Sequence, residues 1–330
     1  MITPRSPRVD IHRHLEGSIR LETVLDLAKQ HHLPLPAEDL AGLQKAVFLT
    51  EPVSDILLIL PRFNLLIQGL VDYDACRRVA WECLEDADQE GLDYVEMRFS
   101  PLFMAEPHGL DPQSVTSAVC EAWEEARGRL RVQSRLIVIL SRTYGPEACE
   151  AELACALAHR DRGVVGLDLA GDEARHPANQ FASHFRRARE AGLHLTAHAG
   201  EFAGADSVRK TVLTLGVERV GHAVHAVDDP DVLDLLAEKQ IAVESCPTSN
   251  LLTCAVPSFA AHPLPIFLDR GLCTVLNTDD PTLFGGISLE DEFRVAREEI
   301  GLSDGQLTRL RENGLRAAFL TPTEKKEFRF

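Results

Sequence analysis

The sequence predicts an α/β protein of the (β/α)₈ class, a TIM barrel. Eight short apolar runs rich in β-branched residues recur along the chain, and segments of helical length separate them. Several runs are apolar at consecutive positions, which is typical of parallel strands covered on both faces. A doubly wound open sheet is the alternative, but no G-x-G-x-x-G motif follows the first run.

The predicted strands cover residues 9–12, 94–100, 135–141, 164–170, 194–198, 219–224, 241–245 and 274–277. Helical periodicity fills the gaps at residues 75–90, 112–131, 146–158, 181–191, 205–215 and 229–239. In the first of these helices, Val79, Cys83 and Ala87 share one face, and Gly91 is placed to end it. Strands that alternate with helices in this way indicate a parallel barrel.

Residues 13–93 are too many for a single crossover helix. They contain a helical pattern at residues 21–31 and an apolar stretch at residues 53–70, which Pro61 interrupts. We expect residues of about 20–75 to form a helical insertion over the C-terminal mouth of the barrel, a position typical of a lid. Extra helices packed on the barrel wall are the alternative. The helical, charged segment 288–330 is expected to close the barrel bottom, and the whole chain, 1–330, to form one domain.

Composition excludes several classes of partner. The 330 residues include 34 Lys and Arg against 51 Asp and Glu, a net charge of −17. Nucleic acid requires a basic surface, and an anionic membrane also repels such a chain. No run of 18 apolar residues and no signal-peptide pattern is present. The eight cysteines form no C-x-x-C pair. These features predict a cytoplasmic protein with reduced thiols. Separately from them, we expect a monomer or weak homo-oligomer.

Histidine and aspartate residues stand where four predicted strands end. His12 and His14 follow the first strand, and residues i and i+2 of an extended chain point the same way, so both imidazoles should face the barrel interior. The other strand ends carry His198, His222, Asp279 and Asp280. Active sites of such barrels are built at this face, and imidazole with carboxylate suits Zn²⁺ and related metals. The sequence therefore predicts a metal site at the mouth.

The fourth strand indicates how many metal ions are bound. Two-metal barrel hydrolases often bridge their ions with a carboxylated lysine on this strand. Here it reads Gly166-Leu-Asp-Leu-Ala-Gly-Asp-Glu173, without lysine. A single metal ion is therefore expected.

Longer motifs around these residues make the sequence recognisable. They are Asp10-Ile-His-Arg-His-Leu-Glu-Gly17, Tyr94-Val-Glu-Met-Arg-Phe-Ser-Pro101, Asp168-Leu-Ala-Gly-Asp-Glu173, His198-Ala-Gly-Glu201, Gly221-His222, Ser245-Cys-Pro-Thr-Ser-Asn250 and Asn277-Thr-Asp-Asp-Pro281. In this order they resemble the adenosine deaminase family of the metal-dependent amidohydrolases. The resemblance extends from about residue 8 to about residue 320.

The resemblance implies a role for each matching residue. The implied ligands of one zinc ion are His12, His14, His198 and Asp279, with a water completing the shell. Glu201 is similar to the acid that protonates the purine N1, and His222 and Asp280 are similar to the pair that orients and deprotonates the water. Gly171 matches the backbone position at the purine N3 edge, and Glu16 matches the carboxylate that binds ribose. His14 and Asp280 also face the substrate.

Deamination of a purine requires a metal-activated water and an acid at N1. Displacement of the amine requires attack of hydroxide at C6, and zinc lowers the pKa of a bound water from about 15.7 to about 7. Negative charge then builds on the ring nitrogen, so an un-ionised carboxylic acid must protonate N1. Glu201 can be this acid if burial raises its pKa. The expected reaction is hydrolysis of adenosine and 2′-deoxyadenosine to inosine and deoxyinosine plus ammonia, in purine salvage.

One departure leaves the substrate open. Adenosine deaminases commonly carry Leu-Asp-Gly where this chain has Leu15-Glu16-Gly17, and the Glu resembles the branch that deaminates free adenine. Thr278 and the segment 94–101 resemble the nucleoside branch. The alternatives are an adenine deaminase, a deaminase of a modified adenine nucleoside such as aminodeoxyfutalosine, a mononuclear amidohydrolase of another substrate, and a purine-binding barrel without activity.

Overall fold

The computed structural model describes residues 6–328. Eight strands form the barrel: β1 (Val9–His14), β2 (Tyr94–Phe99), β3 (Gln133–Ser141), β4 (Val164–Ala170), β5 (His194–Ala199), β6 (Arg219–His222), β7 (Ala242–Ser245) and β8 (Thr274–Leu276). They pair in parallel in the order of the sequence. After β8, Asp279 exchanges backbone hydrogen bonds with β1, its N–H to the His12 oxygen (2.9 Å) and its oxygen from His14 N–H (2.8 Å). The predicted α/β barrel is confirmed.

Helices surround the strands. They are α1 (Leu21–His31), α2 (Leu40–Val47), α3 (Ile56–Ile67), α4 (Tyr73–Glu90), α5 (Pro101–Ala105), α6 (Pro112–Ala126), α7 (Cys149–Ala158), α8 (Ala182–Glu190), α9 (Ala205–Lys210), α10 (Pro230–Glu238), α11 (Pro247–Leu252), α12 (Leu264–Asp269), α13 (Leu289–Glu298), α14 (Asp304–Ala317) and α15 (Pro322–Glu327). Within residues 6–328, none of them combines the length and the apolar character that crossing a bilayer requires.

Several predicted boundaries differ from the structure. The sixth strand ends at His222, because the next residue, Ala223, adopts a left-handed conformation with φ of 52°. The predicted helix 112–131 ends at Ala126, and the predicted helix 205–215 divides into α9 and a π-helical turn, Thr211–Leu215. Pro61 lies inside α3, which continues through it although proline lacks the N–H that would bond to the carbonyl four residues earlier.

The segment between β1 and β2 places helices at the C-terminal mouth of the barrel. It contains α1, α2 and α3, and Asp39 and Asp55 cap the N-termini of α2 and α3 with their side chains. On α3, Ile59 is buried with Leu283 and Phe284 from the loop after β8, in a small apolar cluster of its own. The apolar face of α3 therefore forms a wall of the cavity above the strand ends.

The C-terminal helices close the opposite end. On α14, Asn313 donates its side-chain N–H to the carbonyl of Thr274 (2.9 Å), and Gly314 lies against Val9, so the helix contacts the first residues of β8 and β1. Beyond α14, the Phe319 N–H donates to Glu96 (2.6 Å). The expected bottom closure is present up to residue 328, and residues 329 and 330 lie outside the described part of the chain.

Candidate active site

A cavity of about 350 Å³ opens above the strand ends. Eight of the nine predicted site residues line it: His14, Glu16, Gly171, His198, Glu201, His222, Asp279 and Asp280. The ninth, His12, is fully buried beneath its floor. The remaining wall is mostly apolar and includes Ile59 and Phe63 of α3. The structure thus brings all nine residues together at one pocket.

Three imidazoles and one carboxylate meet at the floor. One ligand atom from each of His12, His14, His198 and Asp279 lies within 4.8 Å of the others. Asp279 Oδ1 is 3.2 Å from Nε2 of both His12 and His14, and the Nε2 atoms of His14 and His198 are 3.2 Å apart. Asp279 adopts a left-handed conformation with φ of 62°, which turns its carboxylate back over β1.

The other ring nitrogen of two histidines is held by a buried carboxylate. His12 Nδ1 donates to Glu244 (2.7 Å), and His198 Nδ1 lies 3.2 Å from Asp168. Such pairs fix the ring orientation and leave the lone pair of Nε2 directed at the cluster. Both carboxylates lie in the barrel interior, where they bond to Arg98 at 2.9 and 2.8 Å.

Neighbouring positive charges keep the two buried carboxylates, Glu244 and Asp168, ionised. Burial alone would raise the pKa of Glu244, but Arg98 and Arg219 hold it well below its ordinary value. Burial alone would also raise the pKa of Asp168. The nearby charges of His198 and Arg98 outweigh burial and lower this pKa below its ordinary value. The carboxylates are therefore ionised and able to accept the imidazole protons.

The cluster fits a divalent metal ion. Burial lowers the pKa of His14 to about 4 and also lowers that of His198, which keeps both rings neutral with a lone pair to donate. The buried Nε2 of His12 lies 3.2 Å from Asp279 Oδ1 but makes no well-aligned hydrogen bond within residues 6–328. Three imidazoles and one carboxylate are a donor set that zinc and its neighbours in the first transition row accept.

Two more carboxyl groups lie beside this cluster. Glu201 Oε2 is 3.5 Å from His222 Nε2, and burial, followed by the charges of Asp279 and Glu173, raises the Glu201 pKa well above its ordinary value. Burial and the neighbouring Asp279 likewise raise the pKa of Asp280. The site therefore contains a carboxyl group that favours its protonated form, as the N1 chemistry requires.

Gly17 makes room for Asp280. A Cβ atom on Gly17 would stand 1.8 Å from Asp280 Oδ1, a distance that no side chain can occupy. Asp280 Oδ1 is itself buried and finds no hydrogen-bond partner in the described residues. The missing side chain at position 17 therefore lets Asp280 face the cavity.

Glu16 and Gly171 lie on two other sides of the cavity. Glu16 is buried, with Oε1 accepting the Ser100 N–H (2.7 Å) and Oε2 without a partner among residues 6–328. Burial raises the Glu16 pKa to about 7. Gly171, with φ of 107°, exposes its backbone to the cavity, and a Cβ atom there would lie 2.5 Å from Thr143 Oγ1.

Glu173 holds the loop that carries Glu201. Its Oε1 accepts the N–H of Gly200 (2.6 Å), and its Oε2 accepts the N–H groups of Glu201 (3.2 Å) and Phe202 (3.0 Å). Sequence reasoning assigned Glu173 no role of its own. The other supporting residues without a predicted role are Arg98, Asp168, Glu244, Asn250 and His262. The sequence signal that could have identified such residues is a charged residue inside an otherwise apolar strand, as at Arg98 and Glu244.

A family model described as "Adenosine deaminase" matches residues 7–329. The chain belongs to the adenosine deaminase family. Curated relatives named adenosine deaminase, from Edwardsiella ictaluri and Serratia proteamaculans, are each 47% identical over 329 residues, 100% of this chain and 98% of the relative. The family predicted from the motifs is thereby confirmed.

Solved structures agree with this member of the adenosine deaminase family over its whole length. An adenine deaminase from Arthrobacter aurescens has a TM-score of 0.89 at 27% identity, over 98% of this chain and 97% of that one. A zinc-bound amidohydrolase from Burkholderia ambifaria has a TM-score of 0.88 at 28% identity, over 97% of this chain and 88% of that one. Zinc binding therefore has a precedent in a similar structure.

Proposed function

We propose that this member of the adenosine deaminase family hydrolyses adenosine and 2′-deoxyadenosine to inosine and deoxyinosine with release of ammonia, in purine salvage. The observation that carries the proposal is the position of Glu201, a buried carboxyl group of raised pKa at the edge of a four-residue metal cluster. Full-length relatives named adenosine deaminase support the substrate.

One zinc ion would be held by His12, His14, His198 and Asp279. When bound, zinc supplies a water whose pKa is lowered to about 7. His222 and Asp280 would orient a water toward C6, and Asp280 in its ionised form would accept the proton of that water. The carboxylates behind His12 and His198 keep their Nε2 atoms directed at the cluster, where the ion would bind.

Glu201 acts on the opposite side of the reacting centre. As oxygen adds to C6, the protonated carboxyl group of Glu201 donates its proton to N1, which prevents charge from building on the ring. The C6–N6 bond then breaks, and the proton held by Asp280 leaves with the amine as ammonia. The proton of the new C6 hydroxyl group passes to Glu201, which restores its carboxyl form and leaves a C6 carbonyl. Adenosine and water thus give inosine and ammonia. Glu173 fixes the Glu201 backbone for this transfer.

The base and the sugar are held at two further points. The backbone at Gly171 contacts the N3 edge of the purine, and His14 and Asp280 border the ring. Glu16 Oε2, a buried acceptor without a partner in the described residues, accepts a ribose hydroxyl. Such a charge-assisted bond contributes about 1.5–3 kcal/mol. The apolar wall from α3 shields the purine from water.

Comparison of substrates tests the proposal. Ultraviolet spectra give kcat/KM for adenosine, 2′-deoxyadenosine and adenine with the zinc-loaded enzyme. We expect both nucleosides to exceed adenine, and Glu16→Ala to lower kcat/KM for adenosine while leaving adenine nearly unchanged. Glu38→Ala, at an exposed position of the insertion, is the matched control. A preference for adenine of about tenfold or more would instead assign the adenine branch, which Glu16 and the adenine deaminase structure favour.

A further inference from the structure

Three buried side chains, His222, Asn250 and His262, form a hydrogen-bonded chain. Asn250 Nδ2 lies 2.9 Å from His222 Nδ1, and His262 Nε2 lies 3.1 Å from Asn250 Oδ1. The chain begins at the backbone N–H of Leu264, which donates to His262 Nδ1 at 3.1 Å. All three side chains are buried, and none of these contacts has a place in the chemistry described above.

The direction of each hydrogen bond follows from its first donor. A backbone N–H can only donate, so His262 Nδ1 accepts, and burial lowers the pKa of His262 to about 3, which keeps its ring neutral. The single ring proton of His262 is therefore on Nε2 and is donated to Asn250 Oδ1. The Asn250 amide then turns its NH₂ group to His222, whose Nδ1 must accept.

His222 is thus left with its ring proton on Nε2. That nitrogen has no hydrogen-bond partner among residues 6–328, and it lies 3.5 Å from Glu201 Oε2 and 3.9 Å from Asp279 Oδ2, at the wall of the cavity. A neutral imidazole with this tautomer presents a donor to the cavity and cannot accept a proton there.

We propose that Asn250 and His262 are positioning residues, which fix the Nε2–H tautomer of His222 so that it donates a hydrogen bond to the attacking water and leaves Asp280 as the base. The catalytic part of this inference rests on the proposed function. The assignment of the His222 tautomer is independent of the proposed function, and it can be measured without any substrate.

The backbone around Asn250 gives the chain a rigid geometry. The Asn250 N–H donates to the Cys246 oxygen (2.9 Å) at the start of α11, and the Val256 N–H donates to the Asn250 oxygen (3.0 Å). His262 is fixed between a 3₁₀ turn, Phe259–Ala261, and α12. The backbone that carries the Asn250 and His262 side chains is therefore held in place on both sides of their contact.

Asn250→Asp tests the proposal directly. A carboxylate has the shape of the amide but can only accept, so it draws the His222 proton to Nδ1 and inverts the tautomer. Nitrogen NMR of the ¹⁵N-histidine-labelled, zinc-loaded enzyme identifies the protonated ring nitrogen, with the His222 signals assigned from a His222→Gln sample. We expect Nε2–H in the parent and Nδ1–H in the variant, with unchanged zinc content and kcat lower by roughly 10²-fold.

A pair of variants at His262 separates hydrogen bonding from packing. A Gln side chain places its amide NH₂ near the position of Nε2, whereas an Asn side chain is too short to reach Asn250. His262→Gln should therefore keep the His222 tautomer and most of kcat, and His262→Asn should lose both. Asn313→Asp is the matched control, because it places the same change at another buried asparagine, which contacts only the barrel bottom.

The outcomes are distinguishable. An Nε2–H signal that persists in Asn250→Asp, or Asn313→Asp lowering kcat as much as Asn250→Asp, overturns the proposal. If Asn250→Asp does not fold, equal kcat and tautomer in the two His262 variants overturns it as well. If the His222 tautomer is inverted in Asn250→Asp but the parent enzyme deaminates no adenine compound, the hydrogen-bonded chain is upheld and the proposed function is refuted.

Discussion

Glu201 combines two properties that a general acid needs, a closed environment and a fixed position. Burial and the charge of Asp279 favour its protonated form, and Glu173 holds its backbone N–H. Neither property comes from Glu201 itself. At the scale of single residues, the proposed acid role therefore depends on two neighbours, Asp279 and Glu173.

Glu201→Gln should retain the metal and bind purine nucleosides, since an amide has nearly the same shape as a carboxyl group. An amide has no acidic proton to transfer, so kcat should fall by about 10²–10⁴-fold. Steady-state kinetics together with zinc analysis measures this. Activity within a few-fold of the parent at full zinc occupancy would remove Glu201 from the acid role.

Gly17→Ala should displace Asp280, because the new Cβ atom would stand 1.8 Å from its Oδ1. We expect a large loss of kcat for adenosine. Gly305→Ala is the control, since a Cβ atom on this α14 glycine meets nothing within 4 Å. Alanine there should raise stability by about 0.5–1 kcal/mol and leave kcat unchanged. Equal activity of Gly17→Ala and Gly305→Ala would show that a side chain at position 17 does not displace Asp280.

At the scale of elements, helix α13 buries a carboxyl group against the barrel. Glu292 is fully buried, and burial raises its pKa to about 8. The folded state therefore binds this proton more tightly than the unfolded state, in which the pKa is about 4.5. Stability contributed by the protonated group is lost as the pH rises from about 4.5 to about 8.

Glu292→Gln should abolish this dependence, because its amide oxygen can still accept the Thr248 N–H. The stability of the variant relative to the parent should grow as the pH rises between about 4.5 and 8, by at most about 1.4 kcal/mol per pH unit. Denaturant melts of both proteins across this range measure the difference. A constant difference would show that Glu292 is not protonated in the folded protein.

At the scale of the whole molecule, the four residues proposed to bind zinc come from strands near both ends and the middle of the chain. His12 and His14 come from β1, His198 from β5 and Asp279 from the segment after β8. An ion bound there stabilises only the folded barrel, because the unfolded chain does not hold these ligands together. Metal binding and folding stability are therefore linked.

We expect one equivalent of zinc per active chain. Chelation should abolish turnover and lower Tm, and His198→Ala should lose both zinc and activity. His225→Ala, at a histidine on the surface side of the loop after β6, should lose neither. Atomic-emission metal analysis with thermal melts measures these quantities. Two equivalents of metal, or none, in active enzyme would refute the assignment.

Sequence periodicity was sufficient for the barrel and for the residues at strand ends. Extended strands project alternate residues to one side, so the two-residue spacing of His12 and His14 was enough to assign both to the mouth. Arg98 and Glu244 could not be paired in this way, since their contact depends on the closure of the barrel. His262 lies in a segment without regular periodicity, and its contact with Asn250 exists only in three dimensions.

The seam at which Asp279 bonds to His12 and His14 has a consequence for synthesis on the ribosome. Chains emerge from the N-terminus, so the first two proposed ligands, His12 and His14, appear long before the last. A partial chain that ends before Asp279 cannot assemble the proposed ligand set. A metal ion bound at this site would thus indicate a chain synthesised past its last ligand. We therefore expect hydrolytic activity only after the segment that follows the eighth strand has paired with the first strand.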